Sequence, residues 1–316
     1  MSSMKAVRIH NFGGLDTLSH DIMNVPRPTA DEILVRLKAT SVNPVDYKMR
    51  EGKFPPVKKD NLPYILGRDV AGQVEAIGSD VTLAKVGDAI YAMPGFDRGT
   101  YAEYIVLKEE EFGAAPSRIT LADAAAVPLA ALTAWQGLFE HGKLEKGQRV
   151  LIHGGSGGVG HFAVQFAKAE GATVFATGSS DARNFLVGLG ADRAIDYKAE
   201  RFEEIANDID LVLDLIGGET QERSWSILRR GGMIISSVEE PDAAKAHAAG
   251  ALPGKRYTAH PSREDLTEIA ALIDTDVVKV VIARCFDLDH VNEAQATLEK
   301  GGVQGKLLVT IGDRSA

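Results

Sequence analysis

Cysteine is almost absent. Cys285 is the single one in 316 residues. A disulfide within the chain is therefore impossible, as is a cysteine-based zinc site, and the composition fits a reducing compartment. Cys285 lies in VVIARCF, where the expected role is a small buried apolar residue on a strand rather than a reactive thiol. Clusters of positive charge are also missing. The formal net charge is −9 and no cluster of five or more Lys or Arg occurs, so the usual footprint of a nucleic-acid binder is absent. No apolar run approaches the ~18 residues of a membrane span, and the opening MSSMKAVRIHNFGG has no apolar signal-peptide core. The expectation is a cytoplasmic enzyme with no nucleic-acid partner and no membrane partner.

What is present suits a folded protein. Hydrophobic residues make up 45% and charged residues 25%, enough to bury a core without disulfides or metals. At roughly 100–200 residues per domain, the length suggests two domains. The first third is strand-like: KAVRIH, EILVRLKATSV, DVAGQVEAIG, DAIYAM and TYAEYIVLKE are separated by Gly, Pro, Asp and Asn. The texture changes near residue 120. There TLADAAAVPLAALTAWQGLFEHG is helical, with Thr120 able to cap its start and Pro128 placed to break or restart it. Short apolar strands then alternate with helical patterns, which predicts a parallel sheet covered on both faces. The strands are RVLIH, TVFAT, RAID, DLVLDLI and GMIISS; the helices include AERFEEIAN and DARNFLVGLG. Residues 241–254, PDAAKAHAAGALPG, read as loop. The boundaries expected are a first domain at 1–122, a second at 123–266, and part of 267–316 returning to the first.

HGGSGGVG, residues 153–160, sits between RVLIH and VGHFAVQFAKAEG. Gly155, Gly157 and Gly160 match G-x-G-x-x-G. Alone the pattern is weak, but between a strand and a helix it bends tightly and lets a pyrophosphate approach the backbone. It also aims a helix N-terminus at negative charge. Gly171 can close that helix. An NAD site usually adds an acid about 20 residues further on, for the ribose hydroxyls. Here the second strand ends in Thr177, Gly178, Ser179 and Ser180, with Arg183 following. Hydroxyls and a guanidinium suit a 2′-phosphate, so NADP is favoured over NAD. Asp181 is expected to cap a helix beginning near Ala182. His153 and His161 flank the turn and are read as core or surface histidines.

These residues, with SVNPVDYKMREG, LPYILGRDVAG, KVGDAIYA, GTYAEY, AAAVPLAALTAWQGL, LVLDLIGG and GKLLV, make the chain resemble the medium-chain dehydrogenase/reductase superfamily. Within it the likeness is to the zinc-independent quinone oxidoreductase branch, and it runs nearly end to end. The resemblance implies an α/β fold, with a Rossmann doubly wound parallel sheet beside a GroES-like β-barrel domain, and a cleft holding NADPH and substrate. It also implies a homodimer, paired through an edge strand such as KRYTAH. Zinc-dependent relatives carry ligands where this chain has Asn43, Arg68 and Leu129, and these cannot form a tetrahedral zinc site, so no metal is expected. Hydride transfer without a metal suits substrates already electrophilic: quinones and α,β-unsaturated carbonyls. The alternatives are an NADPH-dependent carbonyl reductase and a non-catalytic NADPH-binding module.

Carried over by position, Gly155, Ser156, Gly157, Gly158, Val159 and Gly160 should form the pyrophosphate cradle. Gly178, Ser179, Ser180, Arg183 and Tyr197 should meet the 2′-phosphate end, although Tyr197 can also be a plain surface tyrosine. Thr133, Ile216, Gly217, Ser236, Ser237 and Val238 should line the nicotinamide end. Lys306 matches a family lysine near the cofactor, with a solvated lysine as the alternative. On the substrate side, Asn43, Asp46 and Tyr47 are candidate catalytic residues, and Tyr64 and Arg68 candidate pocket walls. Asp46 can instead cap the helix it opens or pair with Arg68. Some quinone reductases place a tyrosine two residues after the matching aspartate; here that position is Lys48, so no proton donor is assigned.

Overall fold

The computed structural model describes residues 2–312. The chain forms two compact units. Unit 1 holds the chain through Leu129, His260–Asp276, and the chain from Ile282 on; unit 2 holds Ala130–Ala259 and Val277–Val281. The divisions thus fall at 129/130 and 259/260 rather than at 122 and 266.

Unit 1 opens with strands β1 (Ser3–Ile9), β2 (Leu18–Asn24) and β3 (Glu32–Val42), helix α1 (Pro44–Arg50), strands β4 (Tyr64–Ile65), β5 (Val70–Ile77), β6 (Ala89–Ala92), β7 (Tyr104–Lys108) and β8 (Phe112–Ala114), and helix α2 (Leu121–Ala124). Thr120 caps α2, accepting from the Asp123 amide at 3.1 Å. α2 packs on β3, β5 and β6, which is why it belongs to unit 1.

Helix α3 (Pro128–Trp135) restarts at the proline, the residue best suited to a first helical position. Unit 2 then alternates β9 (Arg149–His153), α4 (Gly160–Glu170), β10 (Thr173–Gly178), α5 (Arg183–Gly188), β11 (Arg193–Asp196), β12 (Ile209–Asp214), α6 (Gly218–Ser224), β13 (Leu228–Ser236), α7 (Ala243–Ala248) and β14 (Lys255–Arg256). The six strands lie in the order β11-β10-β9-β12-β13-β14, every pair parallel. In order along the chain this is 3-2-1-4-5-6, the dinucleotide-binding arrangement, with its switch point between β9 and β12. Leu151, Phe175, Ile195, Val212 and Ile234 join one core cluster of this sheet.

The chain returns to unit 1 as α8 (Arg263–Asp274), β15 (Ile282–Asp287), α9 (Val291–Glu299) and β16 (Lys306–Thr310). β16 pairs antiparallel with β3 and parallel with β15, completing a sheet in which β3, β5, β6 and β8 follow in order and β7 also pairs with β3. α8 packs on β8, with the Tyr91 hydroxyl donating to the Leu266 carbonyl.

Several local expectations need correction. Residues 241–254 are not all loop: Asp242 caps α7, accepting from the amides of Ala244 and Lys245, and AAKAHA has the propensity to continue it. AERFEEIAN yields only the 3-10 turn Phe202–Glu204. Asp181 does not cap α5: Ala182 holds that position, and Asp181 sits in the preceding 3-10 turn Ser180–Ala182. Cys285 is on a strand but exposed, because β15 is an edge strand whose middle residues, Ala283 to Cys285, are all exposed.

Candidate functional site

In unit 2 the glycine turn leaves β9 at the switch point. Gly154 takes φ +74°, a left-handed value that suits glycine. The Gly154 amide donates to Thr177 Oγ1 at 3.1 Å and the Gly155 amide to the Thr177 carbonyl at 2.9 Å, stitching the turn to the end of β10. The later glycines divide their work. A Cβ on Gly160 would lie 2.2 Å from the Gly154 carbonyl oxygen, so this glycine lets α4 press against the turn. A Cβ on Gly155 would meet Ala176 at 2.9 Å, so it serves strand packing. Gly157 is different: its φ is not positive and the nearest atom to an added Cβ is the Gly154 oxygen at 3.5 Å. The space beside Gly157 is open, as a backbone approached by a phosphate requires. Ser156, Gly158 and Val159 complete the turn, half-buried, at the N-terminus of α4, where unpaired amides and the helix dipole favour an anion.

The neighbouring strand ends supply further candidates. Gly178 is glycine for packing, since a Cβ would stand 2.9 Å from Leu186 Cδ1 and 3.2 Å from Ala182 Cβ. Ser179 is half-buried and Ser180 exposed. Arg183 donates to Glu200 Oε2 at 2.6 Å; Arg193 reaches Oε1 of the same carboxylate at 2.9 Å. The Asp196 amide, first, and these two arginines hold the Glu200 carboxyl below its ordinary range. Tyr197 is 59% exposed, with its amide bonded to the Gly178 carbonyl. After β12, Asp214 is wholly buried and accepts from the amides of Ile216 and Gly217, from Gln221 and from the Ser236 hydroxyl. This carboxylate fixes the 215–218 loop against β13; Ile216 in that loop is exposed, and Ser237 and Val238 after β13 are half-buried. Gly217 needs its φ of +78° to make that bend. Thr133 is buried, its carbonyl accepting from the Tyr257 hydroxyl at 2.6 Å. His153 is a core histidine, bonded to Ser224 at 2.9 Å and Thr177 at 3.3 Å, and burial pushes it down to about 4. His161 is likewise buried, its Nδ1 3.2 Å from the Gly157 carbonyl.

In unit 1 the candidates separate into three groups. Asn43 follows β3 and is the N-cap residue of α1. Its Nδ2 donates to Asp69 Oδ2 at 2.6 Å, and its Oδ1 accepts from Lys306 Nζ. Lys306 is therefore not solvated; it is 3% exposed and lies 3.5 Å from Asp69 Oδ2. Burial lowers its pKa, while Asp69 and Asp46 oppose that shift. Asp69 also accepts from the Ser41 hydroxyl and, through Oδ1, from the Leu129 amide at the start of α3 at 2.7 Å.

The second group centres on Asp46. It does not pair with Arg68; its Oδ2 accepts from the Asn43 amide and from the Tyr101 hydroxyl, each at 2.8 Å, so it does close the first turn of α1. Burial raises its carboxyl to about 7. In the third group Arg68 and Tyr64 meet over one loop. The Arg68 guanidinium donates to the carbonyls of Pro94 and Gly95 and lies 4.1 Å over the Phe96 ring. The Tyr64 hydroxyl donates to the Phe96 carbonyl at 3.1 Å. Tyr47 stands apart, half-buried, its hydroxyl raised first by burial and then by Glu299 and Glu51. Among the described residues no group of three or more His, Cys, Asp or Glu is arranged to hold a metal, and no helix is long and apolar enough to cross a membrane.

Asp69 was not singled out in the sequence; Asp214 lies in LVLDLIGG, one of the motifs that carry the resemblance. Asp69 follows Arg68 just before β5, and Asp214 is a lone acid closing the apolar strand run LVLD. That is a readable signal, because a buried carboxylate must find several donors.

A six-stranded parallel sheet in this order, with an open glycine turn at its switch point, defines a dinucleotide-binding α/β protein carrying a second, largely antiparallel unit. Residues 29–117 match the alcohol dehydrogenase GroES-like domain, and residues 189–309 match the zinc-binding dehydrogenase family. The chain is 35% identical over 320 residues to 2-methylene-furan-3-one reductase of Solanum lycopersicum, covering 98% of this chain and 79% of the relative. The solved quinone oxidoreductase of Coxiella burnetii superposes with TM-score 0.92 at 33% identity, over 98% of this chain and all of that one. Escherichia coli quinone oxidoreductase complexed with NADPH gives 0.88 at 28% identity, over 97% and 99%. The chain belongs to the medium-chain dehydrogenase/reductase superfamily, in its quinone-oxidoreductase-like branch, and is an NAD(P)-dependent oxidoreductase.

Proposed function

We propose that this protein is an NADPH-dependent, zinc-independent reductase that delivers hydride to quinones or α,β-unsaturated carbonyls. The observation that carries the reading is the open backbone at Gly157, at the switch point of the parallel sheet, where a side chain would fill the space a pyrophosphate needs. The turn residues Gly155 to Gly160 would hold the pyrophosphate. Ser179, Ser180, Arg183 and Tyr197 would meet the 2′-phosphate, with two guanidiniums sharing the single carboxylate of Glu200. Ile216, Gly217, Ser236, Ser237, Val238 and Thr133 would receive the nicotinamide, which when bound supplies the hydride.

Zinc independence rests on the groups at the three positions where zinc-dependent relatives carry ligands. The Asn43 carboxamide is engaged by Asp69 and Lys306, the Arg68 guanidinium by loop carbonyls, and Leu129 has no donor side chain. Without a Lewis acid the acceptor must already be electrophilic. A relative named for a methylene-furanone and neighbours named quinone oxidoreductases support that class. We further propose a homodimer working in the cytoplasm, with the single cysteine in keeping with a reducing compartment.

The test is steady cofactor consumption with NADPH and NADH against 9,10-phenanthrenequinone, 3-nonen-2-one and nonanal, on protein whose zinc content has been measured. Turnover of the first two with NADPH on zinc-free protein is expected. Turnover of nonanal alone would favour a carbonyl reductase, and NADPH binding without any turnover a non-catalytic module.

A further inference from the structure

The parallel sheet of unit 2 carries a row of buried polar side chains along its carboxyl rim. His153, Asp214 and Ser236 are the last residues of β9, β12 and β13, and Thr177 is the last but one of β10. All four are buried. His153 and Asp214 are register partners on neighbouring strands, as are Asp214 and Ser236. Helix α6 reaches the row twice, three residues apart on one face: Gln221 donates to Asp214, and Ser224 meets His153. Polar groups inside a sheet protein each need a partner.

At His153 that need fixes the hydrogens. Ser224 has one hydroxyl hydrogen, and it goes to the Thr220 carbonyl at 2.7 Å. Toward His153 Nε2, 2.9 Å away, Ser224 can therefore only accept, so Nε2 carries a proton. Burial pushes the ring down to about 4, so it is neutral at pH 7 and Nδ1 is an acceptor. The Thr177 hydroxyl, 3.3 Å from Nδ1, donates to it. Thr177 Oγ1 keeps its lone pairs for the Gly154 amide at 3.1 Å. Donation thus runs one way throughout, from Gly154 to Thr177, His153, Ser224 and Thr220. The other tautomer would set the Nε2 lone pair against a Ser224 oxygen whose hydrogen is already spent.

The start of this chain is the first residue of the glycine turn, held at φ +74°. Its other end is α6, which follows the 215–218 loop directly. A turn already ordered before a dinucleotide arrives loses no conformational freedom on binding it. His153 is wholly buried, so it acts only through its neighbours. We propose that His153, protonated on Nε2, is the positioning residue of the dinucleotide cradle, holding the Gly154 amide through Thr177 and tying the turn to α6 through Ser224. This rests on the cofactor reading of the glycine turn above.

The test has a spectroscopic arm and a binding arm. The tautomer is read in the free protein at pH 7 by long-range proton–nitrogen correlation, with the His153 signals assigned by their loss in His153→Gln. The Nε2–H pattern is expected; an Nδ1–H or doubly protonated ring would overturn the proposal. Binding is read as the NADPH dissociation constant by fluorescence titration, beside the thermal midpoint. Gln keeps a donor for Ser224 but offers Thr177 no acceptor at the Nδ1 position, whereas Asn places its Oδ1 there and gives up Ser224. His153→Gln and Thr177→Val should each weaken NADPH about 3- to 10-fold, the effect of one hydrogen bond. The double should fall within about threefold of either single, because His153 acts through Thr177. His153→Asn and Thr177→Ser should return to within about twofold of wild type. A histidine that only fills the core would instead lose affinity in step with the thermal midpoint, with His153→Asn no better than His153→Gln. Should His153→Gln not fold, the Thr177→Val and Thr177→Ser pair carries the binding arm, and the shift of the ring nitrogens in Thr177→Val assigns the spectrum. Wild-type affinity in Thr177→Val or in folded His153→Gln, or losses that multiply in the double, would overturn the proposal and leave the cofactor reading standing. A wild-type protein that binds neither NADPH nor NADH would overturn both.

Discussion

The Asp46 carboxyl is wholly buried, and burial is the main reason it titrates near 7 rather than near 3.8. Its contacts with the Asn43 amide and Tyr101 pull the other way and do not compensate. Between these two values the unfolded chain has released its proton and the folded chain has kept it. Stability from this group is therefore present below about pH 4 and lost as pH rises through 7. Asp46→Asn keeps an oxygen for both donors and cannot ionise. The urea midpoint of the variant, relative to wild type, should climb between about pH 4 and pH 8. Parallel midpoints across that range would mean that Asp46 is ionised in the fold. Arg183 supports a second expectation. It is partly exposed and already bound to Glu200, so its contact with a 2′-phosphate competes with an ion pair. Arg183→Ala should weaken NADPH on the order of three- to tenfold and leave NADH unchanged. Glu200→Gln should do the reverse, tightening NADPH by freeing two guanidiniums. If both cofactors respond alike in fluorescence titrations, residues 179–183 do not read the 2′-phosphate.

The glycine turn is the element on which the cofactor reading depends, and two of its glycines should fail in different ways. Gly157→Val places a side chain in open space on a permitted backbone, so the protein should fold with its normal thermal midpoint and lose NADPH binding by at least about 100-fold. Gly160→Val drives a Cβ into the Gly154 carbonyl and should cost the fold of unit 2 itself, read as lost circular dichroism or insoluble protein. Unchanged NADPH affinity in a folded Gly157→Val would put the phosphates elsewhere. At this scale the sequence was informative where one short-range rule decides. Alternating apolar strands, Thr120 before a helix and Gly171 after one were readable because each acts within a few residues. Helix α7 lies in a segment read as loop, where Asp242 makes a cap that an Ala-rich stretch can follow. The Asn43, Asp69 and Lys306 cluster was only half legible. Its members are 26 and 263 residues from Asn43, and no local pattern records which buried charges meet.

At the scale of the whole molecule, the six-stranded sheet ends at β14, which among the described residues pairs on one side only, with β13. Lys255 and Arg256 are both exposed there. An open edge is a template for another strand, and charged side chains blunt it against indiscriminate pairing. A second copy can still use it, through a two-fold contact in which the same edge serves both chains. The proposed homodimer places its interface at this edge. The Tyr257 amide points inward, to the Ser236 carbonyl at 3.0 Å, so the preceding amide, that of Arg256, points outward, where it donates to Glu240 Oε2 at 3.3 Å. Arg256→Pro would remove an outward donor and keep the inward ladder. The wild-type protein should sediment at twice the chain mass and the variant at the chain mass, with the thermal midpoint and NADPH affinity of unit 2 retained. A wild-type monomer, or a variant that stays dimeric, would place the contact between copies at another surface or remove it altogether.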